Sequence, residues 1–153
     1  LEDAAALVGD SSAMGVEDAI HAAMLARRPE LDRALDRLLA EGEAPVRLLR
    51  AAAALLLRLL RLSGGVAAAS IESVLAGARP PIFFRHRPVF AEALRRWSPE
   101  ALAAALAMLQ AAELRCKTAA APDALICRTA LAQLATFPRG PGQSRADGRA
   151  NPR

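Results

Sequence analysis

Aromatic, thiol and imidazole side chains are scarce in this chain of 153 residues. It has no tyrosine, one tryptophan, four phenylalanines, two cysteines and two histidines. Cys116 and Cys127 do not form a C-x-x-C motif, and His21 and His86 lie far apart in the sequence. No metal-ligand spacing is present, so the sequence predicts no metal site. We expect both cysteines to be free, buried thiols in a reducing cytoplasm.

The chain also lacks the motifs of nucleotide and acyl chemistry. A P-loop needs glycines before a lysine, and the only lysine, Lys117, has no glycine before it in LRCKT. No G-x-S-x-G motif is present. Asp32 and Asp36 would share a helix face, but they alternate with arginines, which favours a solvated charged face over a catalytic carboxylate pair. The sequence therefore predicts no catalytic residues and no cofactor.

Long apolar runs are absent as well, and the longest is the nine-residue stretch from Ala101 to Leu109. This run is too short to span a membrane, so no membrane partner is expected. Apolar residues nevertheless make up 54% of the chain, mostly alanine, leucine and valine. Alanine and leucine are strong helix formers, whereas β-branched and aromatic residues favour strands. The composition predicts an all-α protein of one domain's size.

Prolines mark the predicted helix starts. Pro29, Pro45, Pro99 and Pro122 each stand at the beginning of a run with helical periodicity. Ser98 precedes Pro99 and is expected to cap its helix. The predicted helices span residues 1–8, 16–28, 30–41, 45–62, 66–77, 88–97, 99–117 and 122–136. Short connections between them favour a compact antiparallel helical bundle.

Glycine and polar residues suggest where this bundle begins and ends. The segment from Gly9 to Ser12 reads GDSS, and we interpret it as a break between helices and a domain boundary. Residues 1–10 would then end a preceding helical domain, and residues 11–136 would form the main one. Residues 137–153 are rich in glycine, proline and arginine without periodicity. They are expected to be a disordered basic tail.

Several apolar side chains are candidates for the core. Trp97 closes one predicted helix directly before the Ser98-Pro99 start of the next, and we expect it to wedge between the two helices. Phe83, Phe84 and Phe90 are interpreted in the same way. Stacking on a nucleic-acid base is the alternative for these rings. Helix 30–41 is expected to bury Leu31, Leu35 and Leu38.

Basic residues form two groups that could contact a partner or DNA. The first is a stripe on helix 45–62 that comprises Arg47, Arg50, Arg58 and Arg61. It could be a solvated face, a subunit interface or a DNA groove. The second group lies beside the phenylalanines and comprises Arg85, Arg87, Arg95 and Arg96. The whole chain has a net charge of +4, but residues 1–136 contribute only +1 of it. A nearly neutral body is not what a dedicated nucleic-acid binder is expected to have.

Glu113 and Lys117 have the i, i+4 spacing and the favoured order for a helix ion pair. A surface pair of this kind is the simplest interpretation. The single lysine among so many arginines also suggests a more constrained setting, so Lys117 joins the candidate partner contacts.

The stretch from Pro80 to Leu134 resembles the C-terminal end of the delta subunit of bacterial DNA polymerase III, a clamp-loader subunit. The resemblance covers residues 1–136 and is strongest over residues 79–134. Its elements are Pro80-Pro81 with Phe83-Phe84, then Arg96-Trp97-Ser98, then Glu113 with Cys116-Lys117, then Pro122-Asp123 and Cys127.

The resemblance implies a role in assembly. In that family the third domain is an all-helical collar that packs against the collars of other loader subunits. The expected partners are therefore subunits of the tau/gamma and delta-prime type, with DNA in the assembled complex. The sliding clamp would be bound by a region outside this chain, and polymerase activity would belong to other subunits of the holoenzyme. A helical module that binds DNA directly, through residues 85–96 and the basic tail, is the alternative.

Overall fold

The computed structural model describes residues 2–118 and 120–139, with side chains described from residue 13 onward. Across these residues the secondary structure is helical, with no strand, which confirms the all-α prediction. The helices are α1 (Glu2–Met24), α2 (Arg28–Ala40), α3 (Pro45–Val66), α4 (Ile71–Ala76), α5 (Arg87–Arg96), α6 (Pro99–Thr118) and α7 (Asp123–Ala135). A short 3-10 helix, Phe84–His86, leads directly into α5.

Two compact units share this chain. The described part of unit 1 consists of residues 2–54, 107–118 and 120–136. The described part of unit 2 consists of residues 55–106 and 137–139. Helices α3 and α6 each contribute residues to both units.

In unit 1, helices α1, α2 and α7 pack against one another. The leucines of α2 face this core as predicted, since Leu31, Leu35 and Leu38 are buried. Gly15 allows α1 and α2 to approach closely, because a Cβ there would lie 3.3 Å from Leu38 Cδ2. The core of unit 1 is therefore built from aliphatic side chains and close helix contacts.

The predicted break in the first helix is absent. Helix α1 is continuous from Glu2 to Met24 and passes through the segment from Gly9 to Ser12. One glycine in a helix costs only about 1 kcal/mol relative to alanine, and alanines and leucines flank this segment. The prediction that residues 9–12 separate two helices is wrong. The assignment of residues 1–10 to a preceding domain stays a prediction.

Helices α1 and α2 end in the same hydrogen-bonded motif with different residues at the key position. After α1, Arg27 N donates to Ala22 O at 2.8 Å, and Ala26 adopts a φ of +59°. After α2, Glu43 N donates to Leu38 O at 2.9 Å, and Gly42 adopts a φ of +89°. This backbone geometry is the one that glycine favours at a helix C-terminus. Ala26 therefore holds a left-handed conformation that is costly for a residue with a Cβ.

In unit 2, α5 packs against α4 and against the 3-10 helix. Two serines cap helices here: Ser70 Oγ accepts from Ser73 N at 3.2 Å at the start of α4. Ser98 Oγ accepts from Ala101 N at 3.1 Å, at the start of α6. Each cap satisfies one of the N–H groups that a helix start leaves without an intrahelical partner. The Ser98-Pro99 pair therefore sets the beginning of α6.

The predicted tail begins too early. Residues 140–153 lie outside the described residues, but residues 137–139 are described and packed. The Phe137 ring stacks on Trp97 with centroids 6.0 Å apart. Arg139 is 7% exposed, and its guanidinium lies 5.1 Å from the centroid of the Trp97 ring. The prediction that disorder begins at residue 137 is wrong, because Phe137 and Arg139 pack on the ring of Trp97.

Candidate functional site

The buried junction of unit 2 is centred on Trp97. This side chain is 3% exposed and lies between α5 and α6. Besides the contacts of Phe137 and Arg139, the backbone closes the junction, because Ser98 N donates to Arg139 O at 2.8 Å. Burial lowers the pKa of the Arg139 guanidinium, with a further contribution from the nearby charge of Arg96. These contacts attach residues 137–139 to the junction of α5 and α6, and the buried Trp97 ring offers no exposed face to a ligand.

Phe83 and Phe84 do not belong to the core. Their side chains are 54% and 67% exposed, so the prediction that they are core residues is wrong. Phe90 is buried at 4% exposure, which confirms its prediction as a core residue, and Ile82 is buried at 5% exposure. The segment from Pro80 to Phe83 is not helical, so it has no helical periodicity from which a buried face could be predicted. Average burial preferences predict the location of a phenylalanine poorly in such a segment.

The exposed phenylalanines form a small aromatic cluster. The two rings meet edge to face, with centroids 4.9 Å apart and planes inclined by 62°. The His86 ring meets Phe83 at 5.4 Å. The Arg85 guanidinium lies 5.7 Å from the centre of the Phe84 ring. This is a surface that combines aromatic area with positive charge, and residues of both kinds are enriched in protein interfaces.

The arginine stripe of α3 is engaged inside the chain at three of its positions. Arg47 Nη1 lies 3.1 Å from Glu43 Oε1. Arg50 Nε donates to Glu113 Oε1 at 2.7 Å, across 63 residues of sequence. Arg58 donates to the Pro80 carbonyl oxygen, and its guanidinium lies 5.5 Å from the centre of the Phe90 ring. Of the three interpretations of this stripe, a fully solvated face does not fit Arg58. Contact of these residues with a partner or DNA stays a prediction.

Glu113 is the centre of an ion-pair cluster in unit 1. Lys117 Nζ lies 3.4 Å from the same Oε1 atom that accepts from Arg50. The Glu113 side chain is 21% exposed. The Arg50 hydrogen bond lowers the pKa of this carboxyl below its usual range, against the opposing effect of burial, and Lys117 lowers it further. The Lys117 side chain is 54% exposed, so the structure agrees with the surface-pair interpretation, and only the contact of Arg50 with the same oxygen goes beyond it.

Arg95 and Arg96 share one carboxylate. Arg96 Nε lies 2.7 Å from Glu92 Oε1, and Arg95 Nη1 lies 3.5 Å from Glu92 Oε2. By contrast, no described carboxylate lies within ion-pair distance of Arg85 or Arg87, and both side chains are exposed. In the second basic group, Glu92 therefore neutralises Arg95 and Arg96, whereas no described carboxylate neutralises Arg85 and Arg87.

Unit 1 contains an open depression of about 390 Å³ between α2 and α7. Its walls include Arg28 and Arg128. Both guanidiniums already bind carboxylates, since Arg28 Nε lies 3.1 Å from Asp32 Oδ1 and Arg128 pairs with Asp36. The depression therefore offers an anion little net positive charge, and we do not regard it as a ligand site.

Among the described residues, no three His, Cys, Asp or Glu side chains come together as a metal site would require. No described helix has the length and apolar content that crossing a membrane would take. The two cysteines are free thiols, as predicted. Cys127 is buried, which raises the pKa of its thiol to about 12, whereas Cys116 is only partly buried, so the prediction that both are buried is wrong for Cys116.

Charge is distributed unequally between the two units. Unit 1 carries nine basic and twelve acidic residues, a net charge of −3. The described part of unit 2 carries eight arginines and three glutamates, a net charge of +5. The near-neutral sum over residues 1–136 conceals this separation. The positive charge and the exposed phenylalanines thus lie in the same unit.

No family model matches this chain, and no curated protein matches it.

Proposed function

We propose that this chain is a collar-type assembly domain of a bacterial clamp loader, in the delta subunit of DNA polymerase III. The resemblance over residues 79–134 supports this proposal, together with the all-helical fold. The observation that carries it is the exposed pair Phe83 and Phe84. Large apolar side chains at the surface of a helical domain favour contact with another protein. In this role the chain transforms no substrate.

The expected partners are other loader subunits of the tau/gamma and delta-prime type, in the cytoplasm. The sliding clamp would be bound by a region of the protein outside this chain. DNA would be near the domain only in the assembled complex. The contribution of the chain to DNA replication would be to hold neighbouring subunits in place while the clamp is loaded.

Size-exclusion chromatography with purified loader subunits from the same source tests this proposal. The expected result is co-elution of the chain with at least one subunit of the tau/gamma or delta-prime type. The matched control is the same mixture with an unrelated helical domain of similar size and charge. Elution at the position of the isolated chain in every mixture would contradict the proposal.

Direct binding of DNA is the second candidate, and one observation favours it. Arg85 lies over the ring of Phe84, and Arg87 is also exposed, so phosphate and base contacts could be made together. Such binding should weaken steeply with rising salt, because neutralised phosphates release counterions. The measurement is the affinity for a labelled oligothymidine at several salt concentrations. A truncated chain for this test should end after Arg139, because Phe137 and Arg139 pack on Trp97.

A further inference from the structure

The exposed phenylalanines lie on a segment that is fixed to the body of unit 2 from both sides. Arg58 on α3 donates to the Pro80 carbonyl at the beginning of the segment. Ile82 is buried in the middle of it. At the far end, His86 N donates to Phe83 O at 2.8 Å, and α5 follows with Phe90 buried. A surface held in this way loses little conformational entropy on binding, which favours affinity.

This segment carries positive charge without any negative charge. Residues 79–90 include three arginines and no aspartate or glutamate. Arg79, Arg85 and Arg87 are all exposed, and no described carboxylate lies within ion-pair distance of them. The nearest acid in the sequence, Glu92, already binds Arg95 and Arg96. A partner that covers this surface must therefore neutralise the arginines or leave them exposed at the rim.

We propose that Arg79–Phe90 is a docking surface for a partner protein with an apolar pocket rimmed by carboxylates. Phe83 and Phe84 would fill the pocket, and Arg79, Arg85 and Arg87 would meet the acidic rim. This inference rests on the proposed assembly function and names the chemistry of one contact in it. A standard interface covers roughly 800 Å² on each partner, so the two rings form its centre and cannot be the whole of it.

The ring geometry favours a protein over a nucleic acid. Successive bases on a single strand stack on open, flat aromatic faces. Here the two rings are inclined by 62° and pack edge to face, and the guanidinium of Arg85 lies over Phe84. The pair therefore forms a ridge that fits a pocket better than it stacks on bases. Aromatic residues together with arginine are also the typical residues of binding hot spots.

The test measures the affinity of the chain for immobilised tau/gamma-type and delta-prime-type subunits. The variants are Phe83→Ser and Phe84→Ser, and the control is Leu125→Ser, because Leu125 on α7 in unit 1 is 57% exposed. We expect a loss of at least tenfold for each phenylalanine variant, as for a hot-spot residue, and no change for the control. Thermal unfolding of each variant verifies that these exposed substitutions leave the fold intact.

The charge variant Arg85→Glu/Arg87→Glu tests the acidic rim. It should bind the subunits more slowly than the parent chain, and its association rate should depend less on salt. Arg33→Glu/Arg115→Glu is the matched control, since it reverses the same number of charges at two exposed arginines of unit 1 that lie outside the proposed surface. An equal loss of association rate in the control would overturn the assignment of the rim to residues 79–87.

The outcomes separate this inference from the proposed function. If the parent chain binds a subunit and the phenylalanine variants bind equally well, the docking surface is wrong while the assembly function stands. If the parent chain binds no subunit, both fail. If the phenylalanine variants lose binding only to a labelled oligothymidine, the surface recognises single-stranded DNA. If sedimentation shows a dimer that these variants abolish, the occupant is a second copy of the chain. Either of the last two results overturns the proposal.

Discussion

The two units of this chain differ in the groups that their arginine side chains contact. In unit 1 arginines bind carboxylates that are distant in the sequence, as Arg50 binds Glu113 and Arg128 binds Asp36. Unit 2 has few carboxylates, and there Arg58 and Arg139 lie over the rings of Phe90 and Trp97. The difference shows that a single basic residue type can fasten helices through charge in one region and through aromatic faces in another.

The two units also differ in the large apolar side chains that they expose. Among the described side chains of unit 1, the large apolar ones that are exposed are single aliphatic residues, Met14, Leu114 and Leu125. In unit 2 the exposed apolar area includes two adjacent phenylalanines in contact with each other. Isolated exposed aliphatic residues are common and need no explanation, whereas the aromatic cluster and the arginines beside it form the docking surface that we propose.

The largest expected effect contrasts the buried and the exposed aromatic side chains of unit 2. Trp97→Ala should lower the free energy of unfolding by about 3–5 kcal/mol, because it leaves a cavity under Phe137 and Arg139. Phe84→Ala should change it by no more than about 0.5 kcal/mol, since its ring is mostly exposed. Urea denaturation of both variants measures the difference. Equal stability of the two variants would remove the distinction between core and surface on which the comparison depends.

The next effect measures how strongly the segment after α7 stabilises unit 2. A chain that ends after Thr136 should be less stable than a chain that ends after Arg139 by about 2 kcal/mol. The loss comprises the stacking of Phe137 on Trp97 and the cation–π contact of Arg139. Thermal unfolding of the two truncated chains, compared directly with each other, isolates residues 137–139. Identical midpoints would mean that these contacts contribute nothing measurable.

A smaller effect is expected at the two helix ends of unit 1. Ala26→Gly should stabilise the protein by about 0.5–1 kcal/mol, because glycine adopts a positive φ without the steric cost of a Cβ. Gly42→Ala should destabilise it by about 1 kcal/mol for the same reason, since no atom lies near the added Cβ and only the backbone conformation matters. The denaturation midpoints of this reciprocal pair should move in opposite directions. A shift of both in the same direction would contradict the account of these helix ends.

The smallest effect concerns the pH dependence of the Glu113 cluster in unit 1. The folded state lowers the pKa of Glu113 from the usual value of 4.5, mainly through Arg50. The unfolded chain therefore takes up a proton more readily, and the stabilisation present above pH 4.5 is lost as the pH falls through the folded pKa. Glu113→Gln should remove this part of the loss, which develops as the pH falls below 4.5.

The matched measurement is a titration of the Glu113 carboxyl by NMR in the parent chain and in Arg50→Met. The pKa should be lower in the parent chain and should rise in the variant, because the largest cause of the shift is removed. An unchanged pKa would show that Lys117 alone is responsible for the depression.

Local features of this fold were predictable from sequence. The Ser98-Pro99 start of α6 and the buried leucines of α2 follow from capping and from helical periodicity, which act over a few residues. The continuous α1 was missed because one glycine costs a helix only about 1 kcal/mol relative to alanine, which neighbouring helix-forming residues can offset. Helix periodicity could not predict that Phe83 and Phe84 are exposed, since both residues precede α5, the helix that the pattern defines.

Contacts between distant parts of the chain were not predictable. Nothing near Glu113 in the sequence indicates Arg50, and nothing near Trp97 indicates Arg139. The separation of charge has the same origin, because folding assigns α3 and α6 partly to each unit. Summing charges over a continuous stretch of sequence therefore gave neutrality where the folded chain has an acidic and a basic unit.

Hydrogen exchange of the chain, with and without the purified loader subunits, tests most directly whether recognition lies in unit 2. The account predicts slower exchange in peptides that cover residues 79–90 when a partner subunit is added, with little change across α7. Protection of residues 123–135, with residues 79–90 unchanged, would place the contact in unit 1 and contradict the account.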